Sequence, residues 1–138
     1  MRLWHKDLIP VLPRQQLLGQ WRELCAIAKS IAEDGTPNHV LVNKVIEYPM
    51  DHLFHYADIV YGEMFRRGYH PDWVRFYNTI KFGMDKHYHT ITDDELFARW
   101  HNDRYLAQCL ANLQEKYDCG AIPVEEWKKI TDRYPEWK

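Results

Sequence analysis

The clearest pattern in the chain is a helical one. Between about Pro13 and Glu33, Leu17, Trp21, Leu24, Ala28 and Ile31 recur at steps of three and four residues, which lays them along one face of a helix. Pro13 suits a first turn, and Asp34-Gly35 suits the exit. A second helix is predicted from about Asp51 to Arg67, with Leu53, Ala57, Val60 and Met64 as its stripe, Asp51 as a cap and Gly68 as the stop. A third is predicted from about Asp93 to Tyr117. There Thr92 with Glu95 reads as a capping box, Leu96, Trp100, Leu106, Leu110 and Leu113 can face inward, and Gly120 lies just past the end. A short fourth helix opens at Pro123 and carries Val124, Trp127 and Ile130.

The stretches between are less regular. Val40 to Ile46 is rich in β-branched residues and fits either a short strand or an irregular helix. Trp73 to Phe82 has helical spacing with weak caps, after a His70-Pro71-Asp72 turn. No pair of alternating strands flanks a hairpin turn, and no repeat, low-complexity stretch or linker divides the chain. The expected fold is all-α: one domain over residues 1–138, a compact bundle of three main helices with long connecting loops and a short C-terminal helix.

Composition narrows the class. At 138 residues, with 46% hydrophobic positions and six Trp, nine Tyr and five Phe, the chain can bury a core without disulfides. No apolar run approaches a membrane span, and Arg2, Lys6 and Asp7 interrupt the start in a way no signal peptide allows. Cys25, Cys109 and Cys119 form an odd, sparse set without metal-ligand spacing, which points to reduced thiols and a cytoplasmic protein. The formal net charge is −2; residues 1–50 sum to +1, 51–100 to −2 and 101–138 to −1. A small dedicated DNA-binding domain is usually basic, so composition by itself argues against nucleic acid.

Three groups of residues could carry chemistry. On a wheel centred on Leu17, Leu24 and Ala28, Gln16, Gly19 and Glu23 line one flank, while Arg22 falls toward the opposite edge. The bland alternative is a solvated helix face, the usual fate of an isolated Arg-Glu pair. Eight histidines form the second group: His52 and His55 sit three apart on one predicted helix, and His87, His89 and His101 could add ligands. No fixed-spacing metal motif accompanies them, so packing or surface roles are the simpler reading. The third is Tyr69 to Tyr88, where Arg75, Lys81 and Lys86 alternate with aromatics that could stack on bases. Trp73, Phe76, Tyr77 and Ile80 at helical spacing are more simply read as core.

The first group carries a resemblance. The opening Met1-Arg2-Leu3-Trp4, the Leu-x-x-Gln-x-Leu-x-x-x-x-Arg-Glu-Leu pattern from Leu12 to Leu24, the His52 and Asp58 pair and the helix ending Arg66-Arg67-Gly68-Tyr69 resemble the pyrimidine-dimer DNA glycosylases of the phage endonuclease V kind. The likeness extends loosely to the helix after His101 and covers about two thirds of the chain. It implies a compact helical DNA repair enzyme, a glycosylase that is also an abasic-site (β-elimination) lyase. Its nucleophile is the chain's own α-amine, here Met1, because Arg2 is too bulky for ordinary methionine removal. An α-amine titrates near pH 8, about two units below lysine, so part of it is neutral and nucleophilic in neutral solution.

By the same resemblance Glu23 is the catalytic carboxylate, and Arg2, Arg14, Gln15, Gln16 and Arg22 lie among the DNA-contacting positions. The partner implied is damaged double-stranded DNA, bound by a monomer with no cofactor and no metal. Position 16 is Gln where the phage type has histidine, Ala26 replaces a phosphate-gripping arginine, and the basic aromatic tail is only partly matched by Trp127-Lys128-Lys129 and Tyr134-Pro135-Glu136-Trp137-Lys138. Two other readings follow from the residues alone. A non-catalytic helical binding module on the same scaffold would keep its amine remote from Glu23 or blocked by packing. A His-ligated metalloprotein would gather the histidines.

Overall fold

In the computed structural model, which describes residues 1–81 and 90–138, the apolar stripe of the first helix becomes the centre of the core. Helix α1 (Arg14–Asp34) buries Leu17, Trp21, Leu24, Ile27 and Ala28. It ends where Gly35 takes a φ of 75° and returns its N–H to the Ile31 carbonyl, a left-handed exit that favours glycine. Helix α2 (Met50–Arg66) packs across α1 through Leu53, Tyr56, Ala57, Val60 and Met64. Helix α3 (Trp73–Ile80) starts because the Asp72 side chain accepts the Arg75 N–H at 2.9 Å, and it buries Phe76 and Ile80. Phe82, the last residue predicted for this helix, lies outside the described residues.

Helix α4 (Asp103–Asp118) buries Cys109, Leu110 and Leu113. Helix α5 (Val124–Arg133) follows Pro123 and stacks Trp127 on Tyr117 with ring centroids 5.1 Å apart. Short 3-10 helices cover Lys6–Val11, Asn43–Glu47 and Pro135–Trp137. The second of these resolves the β-branched stretch as irregular helix rather than strand, and no strand occurs among the described residues. The all-α expectation therefore stands, and no described helix is long and apolar enough to cross a membrane.

The predicted third helix is corrected. Residues 93–100 form consecutive turns, and α4 begins only at Asp103, capped by the Asn102 side chain on the Tyr105 N–H at 2.9 Å. The break is at Phe97, whose φ of 47° is left-handed and incompatible with a continuous helix. Its fully buried ring holds it there, and its N–H donates to His52 Nδ1 at 3.2 Å. Lys6 Nζ meets the Asp93 and Leu96 carbonyls at 2.5 and 2.6 Å, taking groups a helix would have used internally. The Thr92 hydroxyl does accept the Glu95 N–H at 3.2 Å, so the capping signal is real but opens a turn.

The first twelve residues are not a tail. Leu3, Trp4, Leu8, Ile9 and Leu12 are all buried against the helices. Arg67 holds their far end: its guanidinium donates to the carbonyl of Leu12 at 2.8 Å and reaches those of Ile9 and Pro10 at 3.4 and 3.3 Å. Arg67 is itself fixed by Glu63, a buried carboxylate that also pairs with Arg66. Removing one member leaves a buried charge uncompensated, so Arg67→Ala is expected to cost about 3 kcal/mol in chemical denaturation. Arg67→Met with Glu63→Leu is expected to recover part of that loss, because the stranded carboxylate is gone.

A buried histidine adds a pH dependence. His101 is 4% exposed, accepts the Lys6 N–H on Nδ1 at 2.9 Å and stacks on His5 with centroids 5.1 Å apart. Burial, with His5 and Lys6 nearby, pushes its pKa from 6.5 down to about 2. The unfolded chain takes up a proton below pH 6.5 that the folded chain refuses, so this contribution to stability is full above 6.5 and falls as the pH drops. The expected slope is about 1 kcal/mol per pH unit, and His101→Asn is expected to flatten it in melts taken across that range.

Candidate active site at the start of the chain

Residues 2–4 run extended between α1, α2 and α4, and side chains satisfy their backbone groups. Gln20 is at the centre, fully buried. Its Oε1 accepts the Trp4 N–H at 2.8 Å and lies 2.9 Å from the Tyr56 hydroxyl oxygen. Its Nε2 donates to the Arg2 carbonyl at 2.9 Å and reaches Glu23 Oε2 at 3.4 Å. The Tyr56 hydroxyl also meets the Trp4 carbonyl, and the Tyr105 hydroxyl donates to the Leu3 carbonyl, both at 2.6 Å. Burial pushes both phenols up, well above the ordinary tyrosine value for Tyr56, so each stays a donor.

This scaffold sets the position of the first amine. The Arg2 N–H points at Glu23 Oε2 at 3.4 Å. Successive backbone nitrogens are separated by two bonds to a carbonyl carbon and one peptide bond, so the Met1 nitrogen lies at most about 7 Å from that carboxylate oxygen. Met1 is 42% exposed and Glu23 half-buried, so the pair sits at the protein surface. The Arg2 guanidinium lies over the Trp4 ring at 5.3 Å and donates toward Cys109 Sγ at 3.7 Å. Burial raises the Cys109 thiol, which keeps it neutral beside that cation.

The other residues singled out from the sequence fall into two separate places. Arg14, Gln15 and Gln16 line a cleft of about 360 Å³ with Glu125 and Glu126 of α5. Arg14 is engaged there: its N–H donates to Glu126 Oε1 at 2.9 Å and its Nε to the Tyr69 hydroxyl at 2.8 Å. Arg22 opens onto a cleft of about 400 Å³ between α1 and α3, floored by Trp21 and Phe76. Lys29 and Arg75 share that rim, with Asp72 as the opposing carboxylate. Cys25 also lines it, and burial raises its thiol.

Met1, Arg2 and Glu23 are thus together, whereas Arg14, Gln15, Gln16 and Arg22 are spread over two other clefts. Gln20, Tyr56, Tyr105 and Lys29 did not emerge from the sequence, whereas Arg75 did, as a basic residue of the aromatic stretch. Gln20 had a signal, since it is a polar residue on the apolar face between Leu17 and Leu24. The two tyrosines had none, because a stripe tyrosine reads equally as packing.

Three of the candidate histidines have other partners. His52 accepts from Phe97, His55 pairs with Asp93 at 2.8 Å and His101 accepts from Lys6. His87 and His89 lie outside the described residues, as do Lys86 and Tyr88 of the aromatic stretch. Among the described residues, no three His, Cys, Asp or Glu side chains gather as a metal site would require. Of the aromatic stretch, Phe76 and Ile80 are core, and Tyr77 is 43% exposed.

Comparison with known families adds a match over the same part of the chain. A family model described as pyrimidine dimer DNA glycosylase matches residues 1–76, from the first residue through α1 and α2 into α3. No curated protein and no solved structure matches the chain. The matched segment is more than half of the chain and holds both the extended start and the carboxylate it touches, so the chain belongs to the pyrimidine dimer DNA glycosylase family.

Proposed function

We propose that the protein is a bifunctional DNA glycosylase and abasic-site lyase acting on damaged double-stranded DNA, with the Met1 α-amine as nucleophile and Glu23 as catalytic carboxylate. The observation that carries this reading is the Arg2 N–H pointing at Glu23, which bounds the amine to within about 7 Å of the carboxylate. A binding module that had lost its chemistry would have no reason to hold its first residue there.

The neutral amine attacks C1′ of the damaged nucleotide, and the bond from C1′ to the base breaks as the base leaves with its electron pair and takes up a proton. The amine loses its own protons, the C1′–O4′ bond opens with a proton delivered to O4′, and an imine joins the protein to C1′. Glu23, as carboxylate, stabilises the developing positive charge at C1′ and then takes a proton from C2′. The electrons left at C2′ form a double bond to C3′ as the 3′ phosphate departs. Water hydrolyses the imine, returning the free amine. The nucleotide must leave the stack to reach Met1, which costs least where damage has already weakened pairing.

Borohydride reduces the imine to a stable amine, so incubation with an abasic duplex followed by reduction is expected to give a covalent protein–DNA adduct. Its attachment at residue 1 is read by mass spectrometry of the digested adduct. Acetylating the N-terminus is expected to abolish it, and an undiminished adduct would refute the assignment of the nucleophile. Glu23→Gln keeps size and hydrogen bonding but removes the base, and its strand cleavage is expected to fall by about a hundredfold or more with DNA binding retained.

DNA affinity is expected to depend on salt with a shallow slope, set by a few local cations rather than by the net charge of −2. Arg22→Ala is expected to weaken binding evenly across sequences and reduce that slope by about one, measured by fluorescence anisotropy over a salt series.

A further inference from the structure

We infer that Gln20, supported by Tyr105 and Tyr56, is the positioning residue that holds the N-terminal amine in register with Glu23. The inference rests on the proposed lyase reading for its chemistry, but its geometry is independent of it. A chain terminus is normally mobile, because nothing fixes its last backbone dihedrals. Here the carbonyls of Arg2, Leu3 and Trp4 and the N–H of Trp4 are each taken by a side chain. Gln20 supplies two of those four bonds from a fully buried position and also touches Glu23. One planar amide therefore fixes both partners of the reaction, the chain that carries the nucleophile and the carboxylate that serves it.

Chemistry distinguishes this from ordinary packing. An apolar residue at position 20 would fill the space between Leu17 and Leu24 at less desolvation cost. The amide's value lies in its donor, which reaches the Arg2 carbonyl and Glu23 together. The charged and titratable groups around it are Arg2 on the extended segment, Glu23 on its own helix α1 and Tyr56 on α2, with Tyr105 and Cys109 of α4 next to Arg2, Leu3 and Tyr56. Glu23 is the carboxylate in direct contact with the amide, so a carboxyl group at position 20 would stand next to the Glu23 carboxylate.

Gln20→Glu keeps the shape and both acceptor contacts while losing the donor. Its kcat for cleavage of an abasic duplex is expected to fall about a hundredfold, with KM within a factor of about three, because misplacement of a reacting group acts on the chemical step. The pH at which activity rises is expected to move upward, since the added carboxylate favours the protonated amine. Tyr105→Phe removes one oxygen and leaves the ring packed; it is expected to lower kcat about tenfold without moving the pH profile. It carries the test if Gln20→Glu does not fold.

The amine's own titration, followed by nitrogen NMR on the intact protein, needs no activity and is expected to shift upward in Gln20→Glu. Folded variants with wild-type kcat and an unmoved titration would overturn the inference, as would a loss of kcat that only tracks lost thermal stability. Failure of the wild-type protein to form a reducible adduct, with the titration shift present, would instead remove the lyase reading and leave the positioning role standing.

Discussion

The structure depends on one problem and its solution: an extended, buried segment of backbone with no strand to pair with. Leu3 and Trp4 bring residues 2–4 into the core for the burial of their side chains. Their peptide groups go with them, and each buried group left without a partner would cost about 1–3 kcal/mol. A helix would have satisfied them internally, and a sheet would have paired them with a neighbour. This chain uses Gln20, Tyr56 and Tyr105 instead. Hydrogen bonds from scattered side chains fix a single conformation, because each has its own direction and none can slide by a register step. The result is an extended segment from Arg2 to Trp4 whose backbone groups are held by side chains.

The same device recurs wherever the backbone is irregular. Lys6 collects carbonyls from the 93–96 turns, His52 and His101 accept N–H groups of Phe97 and Lys6, and Arg67 takes the carbonyls at the end of the first 3-10 helix. The regular helices form the frame, while long or cyclic polar side chains hold the segments that frame cannot. This gives His52 and His101 a structural role. A neutral imidazole presents one acceptor and one donor on a flat body, which suits it to a buried turn packed among aromatics such as Phe97, Trp100 and Tyr105.

What could be read in the sequence follows from which physics is local. Helices α1 and α2 were legible because periodic burial is written at fixed spacing, and α5 because Pro123 precedes an apolar stripe. The start of α4 was not, although Asn102 is an ordinary cap, because Leu96 and Trp100 continue the apolar spacing across the break at Phe97. Those residues are buried as expected, but by turns, and periodicity does not distinguish the two when long-range partners supply the hydrogen bonds. Glu23 was ambiguous on the wheel and singled out only by the family resemblance. Gln20, its structural counterpart, was visible as a polar residue in an apolar stripe, but the meaning of that position lies in residues sixteen to eighteen places earlier.

Charge is the remaining piece of the site. A net −2 bounds non-specific attraction over distances beyond a Debye length, but DNA phosphates in contact with the protein respond to nearby groups. Around α1 those groups are sorted by flank. Arg14 shares a cleft with Glu125 and Glu126 at the start of the helix, so that cleft is electrostatically mixed; its backbone N–H donates to Glu126 and its guanidinium to the Tyr69 hydroxyl. Arg22, Lys29 and Arg75 rim the cleft between α1 and α3 against the single carboxylate of Asp72. The Arg2 guanidinium is turned toward Trp4 and Cys109, where it serves the strand more directly than a phosphate. The cleft bearing Arg22 therefore carries the larger local excess of positive charge. On the other side, Glu125 and Glu126 in the first turn of α5 place two carboxylates beside the start of α1.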